Sequence, residues 1–233
     1  MASLLQWNCR GLRANFNELL ILIQNHNPVA IAQELAIPHS YSFQNRHYSL
    51  FSSLPPPSGT RSHGGAGILI RRNIPHSPLP LNTSLQAVAC RISIPQPITV
   101  CSIYLPPTSS WTETDLLNLV SQLPPPVLLL GDFNARNSLW GCSSTDGKGQ
   151  EIADFLLSSS MCLLNNKQST YIHPATGTSS SIDLALVHPS LFLDFSWKVH
   201  DDLCGSDHFP IFISQSNSQP IPETQRWKLE KAD

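Results

Sequence analysis

The stretch that most constrains the fold runs from Val127 to Gly141 and reads VLLLGDFNARNSLWG. Its four consecutive apolar residues, 127–130, are typical of a β-strand that is buried on both faces. Gly131 lets the backbone turn tightly as the strand ends, so Asp132 and Asn134 follow at its carboxyl end. There a carboxylate can accept a proton and a carboxamide can hold a reacting oxygen. The same residues are also common in turns, so this stretch alone leaves both interpretations open.

Apolar runs alternate with helical patterns along most of the chain, which predicts an α/β fold in a single domain. Strands are predicted at residues 3–7, 29–32, 64–70, 86–94, 98–104, 127–130, 162–164, 181–187, 197–200 and 209–213. Helices are predicted from residue 16 to just before Pro28, at 112–123 and at 150–157. Beyond residue 214 the chain is polar and contains prolines, so we expect the domain to span 1–214 and residues 215–233 to form a linker.

The composition argues against several classes of protein. A net charge of −2 argues against a protein that holds nucleic acid by charge alone, because phosphate affinity depends on the number of cations. The 6 cysteines form no C-x-x-C pair, so they predict reduced thiols and neither a zinc site nor a disulfide framework. The sequence shows no signal peptide, no apolar stretch of membrane-spanning length and no basic nuclear signal, so an intracellular protein without membrane contact is expected.

Polar side chains follow several predicted strands at the point where each strand ends. Ligands of open α/β sheets bind beyond strand ends, so these side chains are expected to converge on one cleft. Carboxylates in one cleft repel each other, and a divalent cation relieves the repulsion. Oxygen ligands without cysteine or clustered histidine favour Mg²⁺ or Mn²⁺ over zinc. The residues concerned are Asn8, Glu34, Tyr104, Asp132, Asn134, Asp183, Asp207 and His208.

Six motifs occur in order over about 200 residues: WNCRG at 7–11, QE at 33–34, YLPP at 104–107, GDFNA at 131–135, SSIDL at 180–184 and SDH at 206–208. Together they resemble the endonuclease/exonuclease/phosphatase superfamily, and within it the apurinic-like endonuclease domain of non-LTR retrotransposons. The LWG that follows GDFNA and the tail RWKLEKAD are similar to jockey-like elements. The resemblance implies a four-layer α/β sandwich of the DNase I-like type, with two mixed β-sheets flanked by helices.

The resemblance also implies a role for each motif residue. Asp132 would be the base that orients and deprotonates water, His208 would stabilise charge on the phosphorane, and Asp183 would hold His208 protonated. Glu34 would be the principal Mg²⁺ ligand, with Mn²⁺ possible. The remaining roles concern the phosphate and the metal shell: Asn8 and Asp207 as further metal ligands, Tyr104 and Asn134 as catalytic and phosphate-binding groups, and Thr170 and Ser206 as substrate contacts.

The implied reaction is Mg²⁺-dependent hydrolysis of a phosphodiester in double-stranded DNA, which leaves a 3′-hydroxyl and a 5′-phosphate. A downstream reverse transcriptase domain of a longer polyprotein would extend the 3′-hydroxyl, in the nucleus, and the isolated domain would be a monomer. Two residues depart from the family pattern: Arg10 replaces an acid of the abasic-site repair enzymes, and Leu35 replaces a usual threonine. Two alternatives stay open, a phosphatase or sphingomyelinase of the same superfamily and a catalytically decayed binding module.

Overall fold

Two six-stranded mixed sheets and three α-helices form within residues 3–26, 29–56 and 63–215, the part of the chain that the computed structural model describes. The helices are α1 (Phe16–His26), α2 (Glu113–Ser121) and α3 (Gly147–Ser158). The strands are β1 (Ser3–Asn8), β2 (Val29–Gln33), β3 (Tyr48–Ser53), β4 (Ala66–Arg71), β5 (His76–Leu79), β6 (Gln86–Ile94), β7 (Gln96–Tyr104), β8 (Val127–Asp132), β9 (Cys162–Leu163), β10 (Tyr171–Ile172), β11 (Ser179–Ser180), β12 (Asp183–Val187), β13 (Phe195–Val199) and β14 (Ile211–Gln215).

The first sheet has the strand order β13-β14-β1-β2-β4-β3, and the second has the order β5-β6-β7-β8-β12-β9. In each sheet one central pair is parallel, β1 with β2 and β7 with β8, while the other pairs are antiparallel. A short hairpin of β10 and β11 stands apart from both sheets. The sheets are therefore mixed, as the sequence predicted.

Apolar side chains on the facing sides of the two sheets make the central core, with Leu4 and Ile31 packed in the same cluster as Val100 and Leu130. Helix α1 covers the outer face of the first sheet, and α2 and α3 cover the outer face of the second. This arrangement is a four-layer sandwich, so the predicted fold class is confirmed.

Local sequence explains where the helices begin. The Thr112 backbone N–H donates a hydrogen bond to the Asp115 carboxylate at 2.9 Å, which fixes the first turn of α2. The Asp146 carboxylate accepts from the backbone N–H of Gly149 at 2.7 Å and caps α3. Because of this cap, α3 begins at Gly147, three residues before the predicted start at residue 150.

The core between the sheets contains a buried glutamine. Gln6 on β1 is fully buried, and its amide donates to the Gly131 carbonyl at 3.0 Å and to the Leu184 carbonyl at 3.3 Å. Those carbonyls lie on β8 and β12 of the opposite sheet, so Gln6 ties the two sheets together. Gly131 is required for packing, since a Cβ there would stand 1.9 Å from the Ile103 carbonyl oxygen of β7.

Sequence reasoning missed two strands at the sheet edges. β3 has three serines in six residues, and β5 contains Pro78, which an edge strand accepts because its N–H side faces solvent. Strand β12 begins at Asp183 and not at the predicted Ser181, so the acid stands at the strand's start. The last strand ends at Gln215, and residues 216–233 of the predicted linker lie outside the described residues.

Two further features concern the cysteines and the character of the helices. All six cysteines are free, and four of them are buried. Among the described helices, none combines the length and apolar character needed to cross a bilayer.

Candidate active site

A cleft of about 420 Å³ opens where the two sheets end together. Strand register creates it: Tyr104 pairs with Asp132 across β7 and β8, and Asp132 pairs with Asp183 across β8 and β12. On the first sheet, β1 ends at Asn8, which pairs with Gln33. Seven of the eight residues predicted at strand ends line the cleft, namely Asn8, Glu34, Tyr104, Asp132, Asn134, Asp207 and His208.

Asp132 is held by three N–H donors. One carboxylate oxygen, Oδ1, accepts from the backbone N–H of Asn134 at 3.0 Å. The other, Oδ2, accepts from the side-chain amides of Asn8 at 2.8 Å and Asn134 at 3.0 Å. Asn134 can reach back to Asp132 because its φ of +47° places it in the left-handed region, which asparagine tolerates better than most residues. The carboxylate is therefore fixed in one orientation.

Burial sets the acidity of Asp132. Loss of hydration raises its pKa, the charge of His208 lowers it, the charge of Asp183 raises it, and the hydrogen bonds from Asn8 and Asn134 lower it. The balance brings the pKa of Asp132 to about 7. A carboxyl group with such a pKa is partly ionised at neutral pH and can act as a base there.

His208 and Asp183 form a buried pair beside Asp132. His208 Nδ1 lies 2.8 Å from Asp183 Oδ2, and His208 Nε2 lies 3.9 Å from Asp132 Oδ2. Burial lowers the pKa of His208, but the nearby charges, that of Asp183 first, outweigh it and raise the pKa to about 9. A histidine with this pKa is an imidazolium at neutral pH, which is the state that the resemblance implies for His208.

Two residues predicted to touch substrate lie behind the cleft. Thr170 is fully buried, and its hydroxyl donates to Asp183 Oδ2 at 2.6 Å. The Ser206 hydroxyl donates to the Asn8 carbonyl at 2.8 Å and accepts from the backbone N–H of His208 at 3.2 Å. Neither residue is among the described residues that line the cleft, and their role as substrate contacts stays a prediction. Their hydrogen bonds hold Asp183, Asn8 and His208 in place.

The other acidic residues that line the cleft, Glu34 and Asp207, are less buried than Asp132 and His208, and we call these two residues its open wall. Glu34 is partly exposed and has a φ of +51°, a strained conformation for a residue with a Cβ. Asp207 pairs with the Arg10 guanidinium at 3.3 Å, and the Arg10 side chain is 56% exposed. Burial and the charges of Glu34, Asp132 and Asp207 raise the pKa of Tyr104, so its phenol keeps its proton and can donate a hydrogen bond.

Two groups of residues have the chemistry to hold a divalent cation. Asp132, Asp183 and His208 offer ligand atoms that all lie within 4.8 Å of one another, but Asp183 and His208 already bind each other. The open wall offers the carboxylates of Glu34 and Asp207, whose oxygen atoms suit Mg²⁺ or Mn²⁺. Glu34 and Asp207 therefore stay the predicted ligands of a cation.

Asn8 also bears on the metal assignment. Its amide nitrogen donates to Asp132, and its Oδ1 accepts from the Arg10 backbone N–H at 3.0 Å. Both ends of the side chain are engaged, and a carbonyl oxygen has a second lone pair. Asn8 thus orients Asp132 in this structure, and its role as a metal ligand stays a prediction.

Sequence reasoning overlooked several cleft residues. The Tyr171 ring lies against His208, with centroids 4.7 Å apart and planes at 50°. Arg136 also lines the cleft, and Arg10 was noted in the sequence only as a departure from the family pattern. Tyr171 directly follows the predicted Thr170 and Arg136 directly follows GDFNA, so adjacency to motifs was the available signal.

The fold and the site together define a class of protein. A four-layer α/β sandwich of two mixed sheets flanked by helices is the fold of DNase I-like endonuclease/exonuclease/phosphatase domains. A solved structure of this class, the endonuclease domain of the telomere-specific non-LTR retrotransposon TRAS1, matches with a TM-score of 0.76. The two share 21% identity, and the match covers 94% of this chain and 100% of that one, which shows the shared fold.

Sequence comparisons narrow the class. A family model described as endonuclease-reverse transcriptase matches residues 98–212. The probable RNA-directed DNA polymerase from transposon X-element of Drosophila melanogaster is 26% identical over 91% of this chain. The RNA-directed DNA polymerase from mobile element jockey of the same organism is 25% identical over 96% of the chain. In both cases the match covers 24% of the relative's length. The chain is thus similar to the endonuclease part of these retrotransposon proteins and to proteins of the endonuclease/exonuclease/phosphatase superfamily, as its motifs indicated.

Proposed function

We propose that the chain is a metal-dependent endodeoxyribonuclease that nicks double-stranded DNA by hydrolysing one phosphodiester bond. The observation that carries the proposal is the placement of two differently ionised groups in one cleft. Asp132 has a pKa of about 7 and can accept a proton, whereas His208 has a pKa of about 9 and can donate one. Their nearest atoms are 3.9 Å apart, so both can act on the same phosphate group.

The chemical step follows from these two groups. Asp132 takes a proton from a water molecule as the water oxygen attacks phosphorus, and the bond from phosphorus to the 3′-oxygen breaks. His208 Nε2 donates a hydrogen bond to a phosphate oxygen, where negative charge grows in the transition state. The leaving 3′-oxygen takes a proton from a solvent water molecule, and Asp132 returns its own proton to solvent, so the products are a 3′-hydroxyl and a 5′-phosphate.

Other cleft residues would hold the phosphate and the cation. Tyr104 keeps its phenolic proton and can donate to a phosphate oxygen, and the Asn134 amide stands beside it in the cleft. Glu34 and Asp207, with Asn8 in support, are the oxygen donors for Mg²⁺ or Mn²⁺. When bound, such a cation supplies positive charge that polarises the phosphate.

We further propose that a reverse transcriptase domain uses the cut. The relatives are named as RNA-directed DNA polymerases, and this chain spans about a quarter of their length. A polymerase extends a 3′-hydroxyl, which is the end that the proposed hydrolysis leaves. Action on chromosomal DNA would place the protein in the nucleus.

A plasmid assay tests the activity. Purified chain should convert supercoiled plasmid to the nicked circle in the presence of Mg²⁺, and excess EDTA should abolish the conversion. Phosphoinositide and sphingomyelin, tested in parallel, should release no phosphate or phosphocholine. Undiminished nicking in EDTA would show that the activity does not depend on a metal. Turnover of either lipid without nicking would favour the phosphatase or sphingomyelinase alternative.

A second assay tests the ends. A DNA polymerase should extend the nicked strand directly. If extension requires prior treatment with a phosphatase, the bond that breaks is on the other side of phosphorus and the proposed link to reverse transcription fails.

A further inference from the structure

The acidic residues of this chain are unevenly distributed. Residues 35–112 contain five arginines, Arg46, Arg61, Arg71, Arg72 and Arg91, and no aspartate or glutamate. All 16 acidic residues of the chain lie outside this third of the sequence, although it holds more than a third of the 14 lysines and arginines. Although the whole chain has a net charge of −2, residues 35–112 are strongly cationic.

The fold gathers this segment on one side of the molecule. It forms β3 to β7, with β3 at the edge of the first sheet and β5 at the edge of the second. The two edges meet, because the Phe51 ring on β3 and the His76 ring on β5 make an edge contact at 5.5 Å between centroids. One lateral side of the sandwich is thus built from strands that carry no carboxylate.

A groove of about 460 Å³ on this side concentrates the charge. It is lined by Arg46, His47, Arg71 and Arg72, and no acidic residue lines it. The Arg71 Nε–H donates to the Tyr48 hydroxyl at 3.4 Å, which orients one guanidinium along the groove wall. Across the described ranges, none of these three arginines forms an ion pair with a carboxylate.

The groove is separate from the cleft that contains Asp132. Strand β4 begins at Ala66, which pairs with Gln33 beside Glu34, and ends at Arg71. Five residues of strand span roughly 17 Å at about 3.3 Å per residue. The backbone of one nucleic-acid strand covers that distance in about five nucleotides, since its phosphates rise by about 3.4 Å each along a duplex.

We propose that this groove, lined by Arg46, Arg71 and Arg72, is a second binding site for the phosphodiester backbone of nucleic acid. Three guanidinium groups with no acidic partner repel one another, and a polyanion relieves that repulsion and releases its own counterions. Arginine also matches phosphate geometry with paired N–H donors. The chain would hold nucleic acid at a point distant from the bond in the cleft.

Salt-dependent binding tests the proposal. The full chain is titrated in EDTA, so that no cleavage occurs, against labelled duplex DNA and against single-stranded RNA of the same length. The variants are Arg72→Gln, Arg46→Gln/Arg72→Gln and the control Lys198→Gln; Arg46, Arg72 and Lys198 are all exposed. Arg72→Gln and Lys198→Gln each remove one charge, but Lys198 lies on β13, at the opposite edge of the first sheet.

The slope of log affinity against log salt concentration should fall by about 1 for Arg72→Gln and by about 2 for the double variant. Lys198→Gln should keep the slope of the unmodified chain.

A fall in the slope with DNA alone identifies DNA as the occupant of the groove, and a fall in the slope with RNA alone identifies RNA. Unchanged slopes for the double variant with both probes, or an equal fall for Lys198→Gln, would overturn the proposal. If the double variant does not fold, the comparison of the salt slopes of Arg72→Gln and Lys198→Gln tests the proposal by itself. Because EDTA prevents cleavage, the result does not depend on whether the chain cuts DNA.

Discussion

The cleft has a buried wall, formed by Asp132 and by His208 with its partner Asp183, and the open wall of Glu34 and Asp207. The protein holds the side chains of the buried wall more firmly than those of the open wall. On the buried wall, Asp132 receives three hydrogen bonds, and His208 is held at Nδ1 by Asp183 and along its backbone by Ser206. On the open wall, Asp207 has the exposed Arg10 as its ion-pair partner, and Glu34 sits on a strained backbone.

This difference assigns a task to each wall. Proton transfer needs a base and an acid within a few tenths of an ångström of their working positions, and buried hydrogen bonds supply such precision. A cation and a phosphate arrive from solvent, so the groups that receive them must remain accessible. Fixed chemistry on one wall and accessible charge on the other suit the proposed hydrolysis.

The largest expected effect comes from removing the base on the buried wall. Asp132→Ala should lower the nicking rate at least about 10²-fold, in the range for loss of a general base. Its control is Asp194→Ala, which removes an exposed acid on a loop of the described chain. Melting temperature should show that both variants fold. If a folded Asp132→Ala variant nicks within about threefold of the rate of the unmodified chain, Asp132 is not the general base, because loss of such a base lowers rates far more.

The next effect tests the open wall. Glu34→Gln should raise the Mg²⁺ concentration needed for half-maximal nicking by about 10-fold or more, because an amide binds a hard cation more weakly than a carboxylate. The maximal rate should recover partly at high Mg²⁺. A rate loss that does not respond to Mg²⁺ would show that Glu34 does not act by binding the cation.

The pH dependence tests the coupling inside the buried wall. His208 acts as imidazolium, so the nicking rate should fall as pH rises through its pKa of about 9. Asp183→Asn removes the largest charge that raises this pKa, so the alkaline limb should move to lower pH. Above the pKa of His208, the protonated fraction of the imidazole falls about tenfold for each further step of one in pH. Profiles at saturating Mg²⁺ with superimposed alkaline limbs would contradict the proposed role of Asp183.

The smallest expected effect is on stability and concerns Thr170. Thr170→Val removes the hydroxyl that donates to Asp183 and accepts from the backbone N–H groups of Ile182 and Asp183. Buried donors left without partners should lower the free energy of unfolding by about 1–3 kcal/mol, measured by urea denaturation. Thr170→Ser keeps the hydroxyl and should lose less. Equal losses in the two variants would show that the methyl group of Thr170 matters as much as its hydrogen bonds.

Much of the fold followed from apolar runs in the sequence. The central strand, the strand at 86–94 and helices α1 and α2 lie within a few residues of their predicted bounds, because each combines strong periodicity with a clear start or stop signal. The edge strands β3 and β5 were missed because a half-exposed strand rich in serine or proline has no apolar alternation.

Motifs identified the residues at the cleft better than they identified each residue's task. Seven strand-end residues line the cleft as predicted, whereas Thr170 and Ser206 bond to Asp183 and to the Asn8 backbone, and their role as substrate contacts stays a prediction. A motif records that a side chain is near the site, whereas its orientation depends on which neighbours take up its hydrogen bonds. The contact of Tyr171 with His208 has no motif of its own and depends on a bridge between β10 and the chain near β14.

The sequence by itself determined that this chain makes an α/β fold, that polar groups end several strands and that its oxygen ligands suit a divalent cation, and the resemblance of its motifs implied the two sheets. Only the tertiary structure decided the protonation of those groups, because the pKa of Asp132 and His208 depends on burial and on charges from strands distant in sequence. The same holds for the cationic groove. The absence of acids from residues 35–112 is visible in the sequence, but the pairing of β3 with β4 decides that Arg46, Arg71 and Arg72 share one groove.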